Sequence, residues 1–248
     1  MNLGPRKEKI LKAVVDEYIG SAEPVASKHL AERWPLNVSA ATIRSELADL
    51  EALGYLEQPH TSAGRVPTPN GYRIYVDELM QKHDLTAGEQ DTLDQVKKLR
   101  MAELDSLLSR AGRIIAELTR TVTVAAAGPS FREEQVYVSG EANLFDYPEF
   151  QDLLRARRTL EYITEQRADL IRQTPVWERD GVRVVIGPEN AAAELSDASV
   201  LMAVYPMGGG MKGTIGVVGP TRMDYSRMVS RLGYFAEKLK EMMYEETE

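Results

Sequence analysis

The sequence predicts an α+β protein whose two ends are built differently. In residues 1–83, apolar side chains recur at every third or fourth position, which is helical periodicity. Residues 84–126 contain no Pro and predict one long linker helix. Residues 127–248 alternate short β-rich pieces with helical patterns, which is typical of a small α/β domain. Three regions with these bounds are therefore expected.

Three helices are predicted before residue 55. The first covers residues 5–19 and the second lies within residues 23–34, directly before a Pro that stops it. Ser39 is a good N-cap for the third helix, at residues 40–54. Gly54 suits the C-terminal end of that helix. This order of elements is compatible with a helix-turn-helix, in which the last of these helices reads DNA.

The exposed side of the third helix favours DNA binding. Its first two turns carry small, hydroxyl and basic residues, including Thr42, Arg44 and Ser45, whereas Glu46 and Asp49 come later. In a helix-turn-helix, the N-terminal end of the second helix enters the major groove. Hydroxyl and Arg side chains can reach base edges or phosphates there, and acids would be repelled.

Residues 58–73 contain no Asp or Glu although the chain has a formal net charge of -8. Residues 55–58 and 65–76 are predicted to pair as a β-hairpin around a turn at 59–64, and a fourth helix is predicted to begin within residues 70–83. A hairpin directly after a recognition helix is a wing, which lies along the phosphate backbone. The predicted DNA-binding residues are Lys28, Ser39, Ala40, Thr42, Arg44, Ser45, His60, Thr61, Ser62, Arg65, Tyr72 and Arg73.

An alternative stays open for this region. Helix-turn-helix shapes also serve as protein-interaction modules, and residues 1–80 carry nine Lys/Arg against eleven Asp/Glu, a net charge of -2. That is low for a DNA-binding domain. An adaptor that kept the fold but lost DNA binding is therefore a competing function.

The long helix is a candidate dimer contact. Its apolar residues alternate spacings of three and four, a short heptad pattern: Leu104, Leu107, Ala111, Ile114 and Leu118. The same pattern fits an amphipathic helix packed on its own chain. Dimerisation would help because one DNA-reading unit covers few base pairs, and two copies read a palindrome.

Five strands and two helices are predicted in the C-terminal part. The strands lie at residues 121–126, 135–140, 181–187, 199–206 and 213–220, and the helices at 149–163 and 224–243. The Gly-rich run at 206–222 does not match a phosphate-binding loop and is better explained as a hairpin. A small-molecule effector pocket in this part stays open.

Composition excludes several classes of function. The chain has no Cys and three scattered His, so neither a metal site nor a cofactor is expected. No nucleophile–base pairing stands out, so no catalytic residue is assigned. No apolar run approaches the roughly 18 residues of a membrane span, and the charged N-terminus does not resemble a signal peptide. A soluble cytoplasmic protein is expected.

Three segments resemble one known family. They are EPVASKHLAERW, NVSAATIRSELADLEALGYLEQPHTSAGRVPTPNGYRIYVDELM and, far downstream, GVVGPTRMDYSRM. All three are similar to the heat-inducible transcription repressor HrcA. The resemblance implies a winged-helix homodimer that binds double-stranded DNA at an inverted-repeat operator ahead of chaperone operons. It also implies release on heat shock, help from the GroE chaperonin, and a GAF-like C-terminal domain.

By position, the recognition helix of the family corresponds to residues 39–53 and its wing to residues 58–72. The sequence departs from the family at Ala26, where Gly is usual, and at Ser45, where Asn is common. It is also considerably shorter than members of the family, mostly in the middle, and this implies that the segment that usually carries dimerisation is absent. The competing functions are a ligand-sensing winged-helix regulator with an effector in the C-terminal domain, and the adaptor.

Overall fold

The computed structural model describes residues 3–60, 63–94, 104–128, 135–172, 178–179, 181–207 and 211–245. The chain forms two compact units. The first contains Met1–Gln81 and a second piece, Thr221–Tyr225; the other contains Lys82–Pro220 and Ser226–Glu248. The first unit therefore ends two residues before the predicted boundary, and residues 84–126 belong to the second unit rather than to a separate linker.

The N-terminal unit consists of three helices, a two-stranded antiparallel pair and a further helix. The elements are α1 (Pro5–Ser21), α2 (Ser27–Arg33), α3 (Ala40–Ala52), β1 (Leu56–Glu57), β2 (Val66–Pro67) and α4 (Pro69–Ile74), which continues as a π-helical turn over Tyr75–Leu79. The three first helices bury Ile10, Leu30, Ile43 and Leu50 completely.

Local signals account for both ends of α3. The Ser39 hydroxyl accepts a hydrogen bond from the backbone N–H of Thr42 at 3.1 Å, as an N-cap does. After the helix, Gly54 adopts a φ of 78°, the left-handed conformation that ends many helices. Both features agree with the sequence prediction.

The second half of the hairpin is shorter than predicted. Strand β2 has two residues, whereas the sequence predicted an extended return through residue 76. Helix α4 begins at Pro69 because Thr68 caps it, its hydroxyl accepting a hydrogen bond from Gly71 N–H at 3.1 Å. The prediction of a fourth helix in this region is confirmed, although it starts earlier.

The C-terminal unit is built on one sheet with helices around it. Its elements are α5 (Ala87–Leu93), α6 (Leu104–Thr119), β3 (Val122–Gly128), β4 (Gln135–Ser139), α7 (Leu153–Glu165), α8 (Arg167–Arg172), β5 (Glu178–Arg179), β6 (Val182–Ile186), β7 (Ala198–Pro206), β8 (Lys212–Pro220) and α9 (Tyr225–Glu245). The strand order is β4-β3-β8-β7-β6-β5, and every neighbouring pair is antiparallel. Strands β7 and β8 pair along their whole length, in agreement with the predicted Gly-rich hairpin.

Strand β3 is buried on both faces, as alternation along a strand allows. Val122, Val124 and Ala126 join a core cluster that includes Phe150 and Ile163. Ala125, on the opposite face, faces α6, where a Cβ on Gly112 would lie 3.7 Å from the Ala125 Cβ. The sheet therefore lies between α6 on one side and the elements around α7 on the other.

Two sequence predictions overlapped at residues 121–126, the end of the linker helix and a strand, and the structure confirms the strand. Helix α6 ends at Thr119 and β3 begins at Val122. The β-branched run at Thr121–Val124 favours an extended backbone, and burial in the sheet stabilises it there.

Helix α6 packs on its own sheet. Of the five residues predicted to form a dimer contact, Leu107 and Ala111 are buried within this chain. Ile114 and Leu118 are half-buried, and Leu104 is the first residue of the helix. Burial of Leu107 and Ala111 supports the alternative that the apolar stripe faces the chain itself. Among helices within the described ranges, none is both long and apolar enough to cross a membrane.

Candidate nucleic-acid interface

The N-terminal half of α3 exposes the residues expected to contact DNA. Arg44 and Ser45 are exposed, whereas Ala40 and Thr42 are half-buried. The hydroxyls of Ser39 and Thr42 lie 3.0 Å apart, so the cap holds Thr42 in place. Arg44 makes no hydrogen bond or ion pair with any residue that the structure describes. This cation is therefore available to an external anion.

The acids of α3 are neutralised by cations from its own unit. Lys7 on α1 lies 2.7 Å from Glu46 and 2.9 Å from Asp49. These contacts, the hydrogen bond to Glu46 first, raise the pKa of the Lys7 ammonium. Glu46 and Asp49, two of the acids that lower the net charge of this region, are thus paired beside α1. The unit's net charge consequently understates how favourable the start of α3 is for an anion.

Other acids of the unit are paired in the same way. Glu17 accepts hydrogen bonds from His29 at 2.8 Å and from Trp34 at 3.2 Å, and it lies 3.1 Å from Arg33. The hydrogen bond to His29 is the main reason that the pKa of Glu17 is lowered. This cluster ties the end of α1 to α2, so it supports the helix pair on which α3 rests.

The hairpin is attached to the start of α2 by backbone contacts. Val25 and Arg65 exchange two hydrogen bonds, each 2.9 Å long. Gly64 passes so close that a Cβ there would lie 2.4 Å from the Val25 carbonyl oxygen. The Gln58 amide donates to the Ala63 carbonyl at 2.8 Å and closes the loop. The hairpin is therefore held against the helices rather than projecting freely.

A groove of about 360 Å³ lies between α2, α3 and the hairpin. Ser27 contributes from α2, Arg44 from α3, and Gln58 and Arg65 from the hairpin. Two of the predicted cations, Arg44 and Arg65, thus line the same groove. Amide, hydroxyl and guanidinium donors in this arrangement suit phosphate or base-edge acceptors.

Arg65 is less available than the sequence predicted. Its Nη2 lies 2.8 Å from the Glu51 carboxylate, and its side chain is only 18% exposed. Its Nε is buried without a hydrogen-bond partner among the described residues. The Glu51 carboxylate neutralises this cation, so Arg65 serves mainly to connect the hairpin to α3.

Tyr72 does not lie on the candidate surface. It is 2% exposed, and its ring centroid lies 5.8 Å from that of Tyr225. The prediction that it contacts DNA is therefore corrected, because a buried ring cannot reach the duplex. Arg73, on the same helix, is half-buried and pairs with Asp77 at 3.2 Å.

The remaining predicted residues fall into two groups. Lys28 is highly exposed, with its Nζ 3.9 Å from Glu32, and His60 is exposed at the tip of the hairpin. Thr61 and Ser62 lie outside the described residues.

Three residues of this region were not among the predicted DNA-binding residues: Gln58, Glu51 and Gly64. Gly64 could have been found as a turn residue, but the partners of Gln58 and Glu51 depend on the folded hairpin.

Comparisons with known proteins place the chain in a family. A family model described as HrcA protein C terminal domain matches residues 89–229, more than half of the chain. Three relatives carry the name heat-inducible transcription repressor HrcA. The protein from Acetivibrio thermocellus is 29% identical over 97% of this chain and 96% of its own length. The protein from Ruminiclostridium cellulolyticum is 30% identical over 97% of each chain, and that from Symbiobacterium thermophilum is 30% identical over 96% of this chain and 98% of its own.

The alignment with the Acetivibrio protein runs over 340 positions, which exceeds the 248 residues of this chain by 92. At least that many positions of the relative therefore have no counterpart here. A solved structure described as a hypothetical protein at 2.2 Å resolution superposes with a TM-score of 0.78 at 21% identity. It covers 98% of this chain and 99% of the other, and it shows that the fold is shared. The family model and the near-complete alignments agree, and the chain belongs to the HrcA family.

Proposed function

We propose that this chain is a sequence-specific DNA-binding repressor of heat-shock (chaperone) operons. The names of the curated relatives support the class of function. The observation that carries the proposal is the exposed Arg44 on the N-terminal half of α3, a helix whose later acids Glu46 and Asp49 form ion pairs with Arg6 and Lys7. An exposed cation in the first two turns of a helix is suited to the DNA backbone and base edges.

The N-terminal unit would act as a winged helix-turn-helix. Helices α2 and α3 form the helix-turn-helix, α3 enters the major groove, and the β1–β2 hairpin is the wing. Arg44 would read a base edge, preferentially a guanine, while Ser45 and Thr42 contact bases or nearby phosphates. Lys28 and His60 would contact the phosphate backbone, and Arg65 would hold the wing through Glu51.

The C-terminal unit would be a GAF-like regulatory domain. Its six-stranded antiparallel sheet with flanking helices supports this assignment. Binding to an inverted repeat requires two copies, so the repressor would act as a homodimer. Release on heat stress, with the GroE chaperonin restoring the active form, completes the proposal.

A titration against labelled DNA tests the proposal. Purified full-length protein is mixed with an inverted-repeat duplex from ahead of a chaperone operon and with a scrambled duplex, at two salt concentrations. Preference for the operator, two chains per duplex and weaker binding at high salt are expected. Equal affinity for both duplexes would contradict sequence-specific repression, and absence of binding would favour the adaptor.

The dimer contact can be tested on α6. Ile114→Glu places a charge on a half-buried site and should shift the protein toward monomer, as measured by sedimentation equilibrium. Leu107→Glu is the matched variant, because Leu107 is buried within its own chain and its change should unfold the protein instead. A folded Ile114→Glu variant with unchanged mass would place the dimer contact elsewhere.

One observation favours the second candidate, a ligand-sensing regulator. A groove of about 420 Å³ lies between residues 82–90 and α9 in the C-terminal unit. The Ser230 hydroxyl in its lining is buried without a hydrogen-bond partner among the described residues. A melting-temperature screen against metabolites tests this candidate, because a ligand of the folded state raises the melting temperature.

A further inference from the structure

The N-terminal unit is discontinuous in sequence. It contains the five residues Thr221–Tyr225 in addition to residues before 82. This segment is covalently continuous with β8, which ends at Pro220, and with α9, which begins at Tyr225. Part of the candidate DNA-binding unit is therefore supplied by the C-terminal half of the chain.

Tyr225 is a core residue of the N-terminal unit. It is completely buried, and its ring packs on Tyr72 with centroids 5.8 Å apart and planes tilted by 56°. Its hydroxyl donates to the Thr221 carbonyl at 2.5 Å, so the five residues close on themselves. Met223 is buried as well. An aromatic pair of this kind adds to the stabilisation that burial alone provides.

Arg222 makes a second attachment. Its Nη1 donates a hydrogen bond to the Ile19 carbonyl at 3.3 Å. Ile19 lies in the last turn of α1, where carbonyl groups have no partner within the helix and a cation is favoured. Tyr75 lies in the π-helical turn that continues α4, and the pKa of its hydroxyl is raised. Burial is the main cause, Asp16 is the next, and the negative charge of Asp224 also contributes.

Tyr72 connects this segment to the wing. It lies on α4, whose capping residue Thr68 donates its hydroxyl to the Gly54 carbonyl at 2.7 Å. The backbone N–H of Thr68 also donates to the Tyr55 carbonyl at 3.1 Å. Helix α4 is thus bonded to the turn between α3 and β1. Because Tyr225 packs on Tyr72 of α4, it would fix the angle between the recognition helix and the wing.

We propose that Thr221–Tyr225 positions the DNA-reading surface, with Tyr225 acting through Tyr72 and Arg222 acting through the end of α1. This inference rests on the proposed function. The segment contacts no DNA. It makes operator binding depend on the C-terminal half of the chain, because β8 and α9 hold the segment at both ends. Loss of order in that half would then withdraw a core residue from the DNA-binding unit.

Full-length variants test the inference at a temperature where circular dichroism shows them all to be folded. Tyr225→Ala should weaken operator binding by about tenfold or more and flatten its salt dependence, because the wing no longer holds its phosphate contacts. Tyr225→Phe keeps the ring that packs on Tyr72 and should retain nearly full affinity, since the hydroxyl donates to Thr221 within the segment. Arg222→Ala should weaken binding several-fold.

Tyr205→Ala is the matched control, because it removes an equally buried tyrosine from β7 in the other unit. Hydrogen exchange gives a readout independent of DNA. Tyr225→Ala should speed exchange in α4 and the hairpin, and Tyr205→Ala should not. Unchanged exchange there, with wild-type operator affinity, would overturn the inference. If the wild-type protein fails to bind the operator, the proposed function fails, and the exchange measurement still decides whether the segment orders α4 and the wing.

Discussion

Arg44 combines three properties at the scale of a single residue. It is exposed, it lies in the first two turns of α3, and no described residue pairs with it. We expect Arg44→Ala to weaken operator binding by roughly 10- to 100-fold, the range of one lost bidentate base contact, and to weaken binding to scrambled DNA much less. Competition titrations with single-base operator variants should show relaxed preference at one position.

Lys9→Ala is the control for charge. Lys9 is an exposed cation on α1 and makes no ion pair within the described part of the chain, so its change removes the same charge. It should lower the affinity for both duplexes slightly and equally. Loss of specific and nonspecific binding by the same factor in Arg44→Ala would exclude a base-reading role for that residue.

Exposure of Arg44 could be predicted from the sequence because it follows from helical periodicity alone. The state of Arg65 could not, since its partner Glu51 lies fourteen positions earlier and meets it only after the hairpin folds. Tyr72 was misassigned for the same reason. The ring that covers it comes from residue 225, far along the chain.

Glu89 gives the C-terminal unit a dependence on pH. Its carboxylate accepts the N–H of Thr86 at 2.9 Å and lies 2.6 Å from Arg231. These contacts, the Thr86 backbone hydrogen bond first, lower the pKa of Glu89 from 4.5 to about 2. A lowered pKa in the folded state means that the stabilisation is complete above pH 4.5 and is lost as the pH falls toward 2.

We therefore expect Glu89→Gln to reduce the free energy of unfolding at pH 7 by about 1–2 kcal/mol, a value already lowered for solvent screening. The difference from wild type should shrink below pH 4.5. Urea unfolding at pH 7 and pH 3 measures it. Glu117→Gln, at an exposed carboxylate on α6 without an ion pair among the described residues, should change neither value. A difference that is the same at both pH values would exclude the ionised carboxylate as its source.

At the scale of elements, the β1–β2 hairpin depends on close contact between α4 and Tyr55, the residue before β1. A Cβ on Gly71 would lie 2.1 Å from the Tyr55 carbonyl oxygen, a backbone atom that cannot move alone. We expect Gly71→Ala to destabilise the N-terminal unit by roughly 1–3 kcal/mol through overpacking and to weaken operator binding. Urea unfolding and an operator titration of the same preparation measure the two effects.

Gly20→Ala is the matched change within the same unit. Nothing lies within 4 Å of a Cβ at Gly20, and the residue is helical in α1. The extra methyl group should therefore stabilise the helix by about 0.5–1 kcal/mol. If Gly71→Ala behaved like Gly20→Ala, the close approach of α4 to β1 would not determine the position of the wing.

Elements that depend on local signals were predictable. Ser39, Gly54 and the periodicity of the first three helices place α1 to α3 within a few residues of their observed bounds. At residues 121–126 the sequence predicted both the end of the linker helix and a strand, and burial in the sheet stabilises the strand there. The heptad spacing of α6 could not separate a partner helix from its own sheet, because both bury the same stripe.

At the scale of the whole molecule, the strand order is the least local property. Strands β3 and β8 are neighbours although about ninety residues separate them in sequence. Strand β8 ends at Pro220, and Thr221–Tyr225 of the N-terminal unit follows it directly along the chain. The sequence predicted five of the six strands β3 to β8 and missed β5, and their order depends on contacts that no local pattern encodes.

This connectivity leads to a prediction about heat. If unfolding of the C-terminal unit withdraws Tyr225 from the DNA-binding unit, a weaker sheet core should lower the temperature of operator release. Leu201 on β7 is completely buried, and Leu201→Ala should cost about 2–5 kcal/mol. At roughly 2–4 °C per kcal/mol, the melting temperature and the temperature of operator release should both fall by about 5 °C or more.

Leu154→Ala is the control, because it makes the same change at a site that is 67% exposed, and it should move neither temperature. Calorimetry and a temperature-ramped binding assay compare the two midpoints, and a lowered melting temperature with unchanged release would separate DNA release from unfolding of this unit.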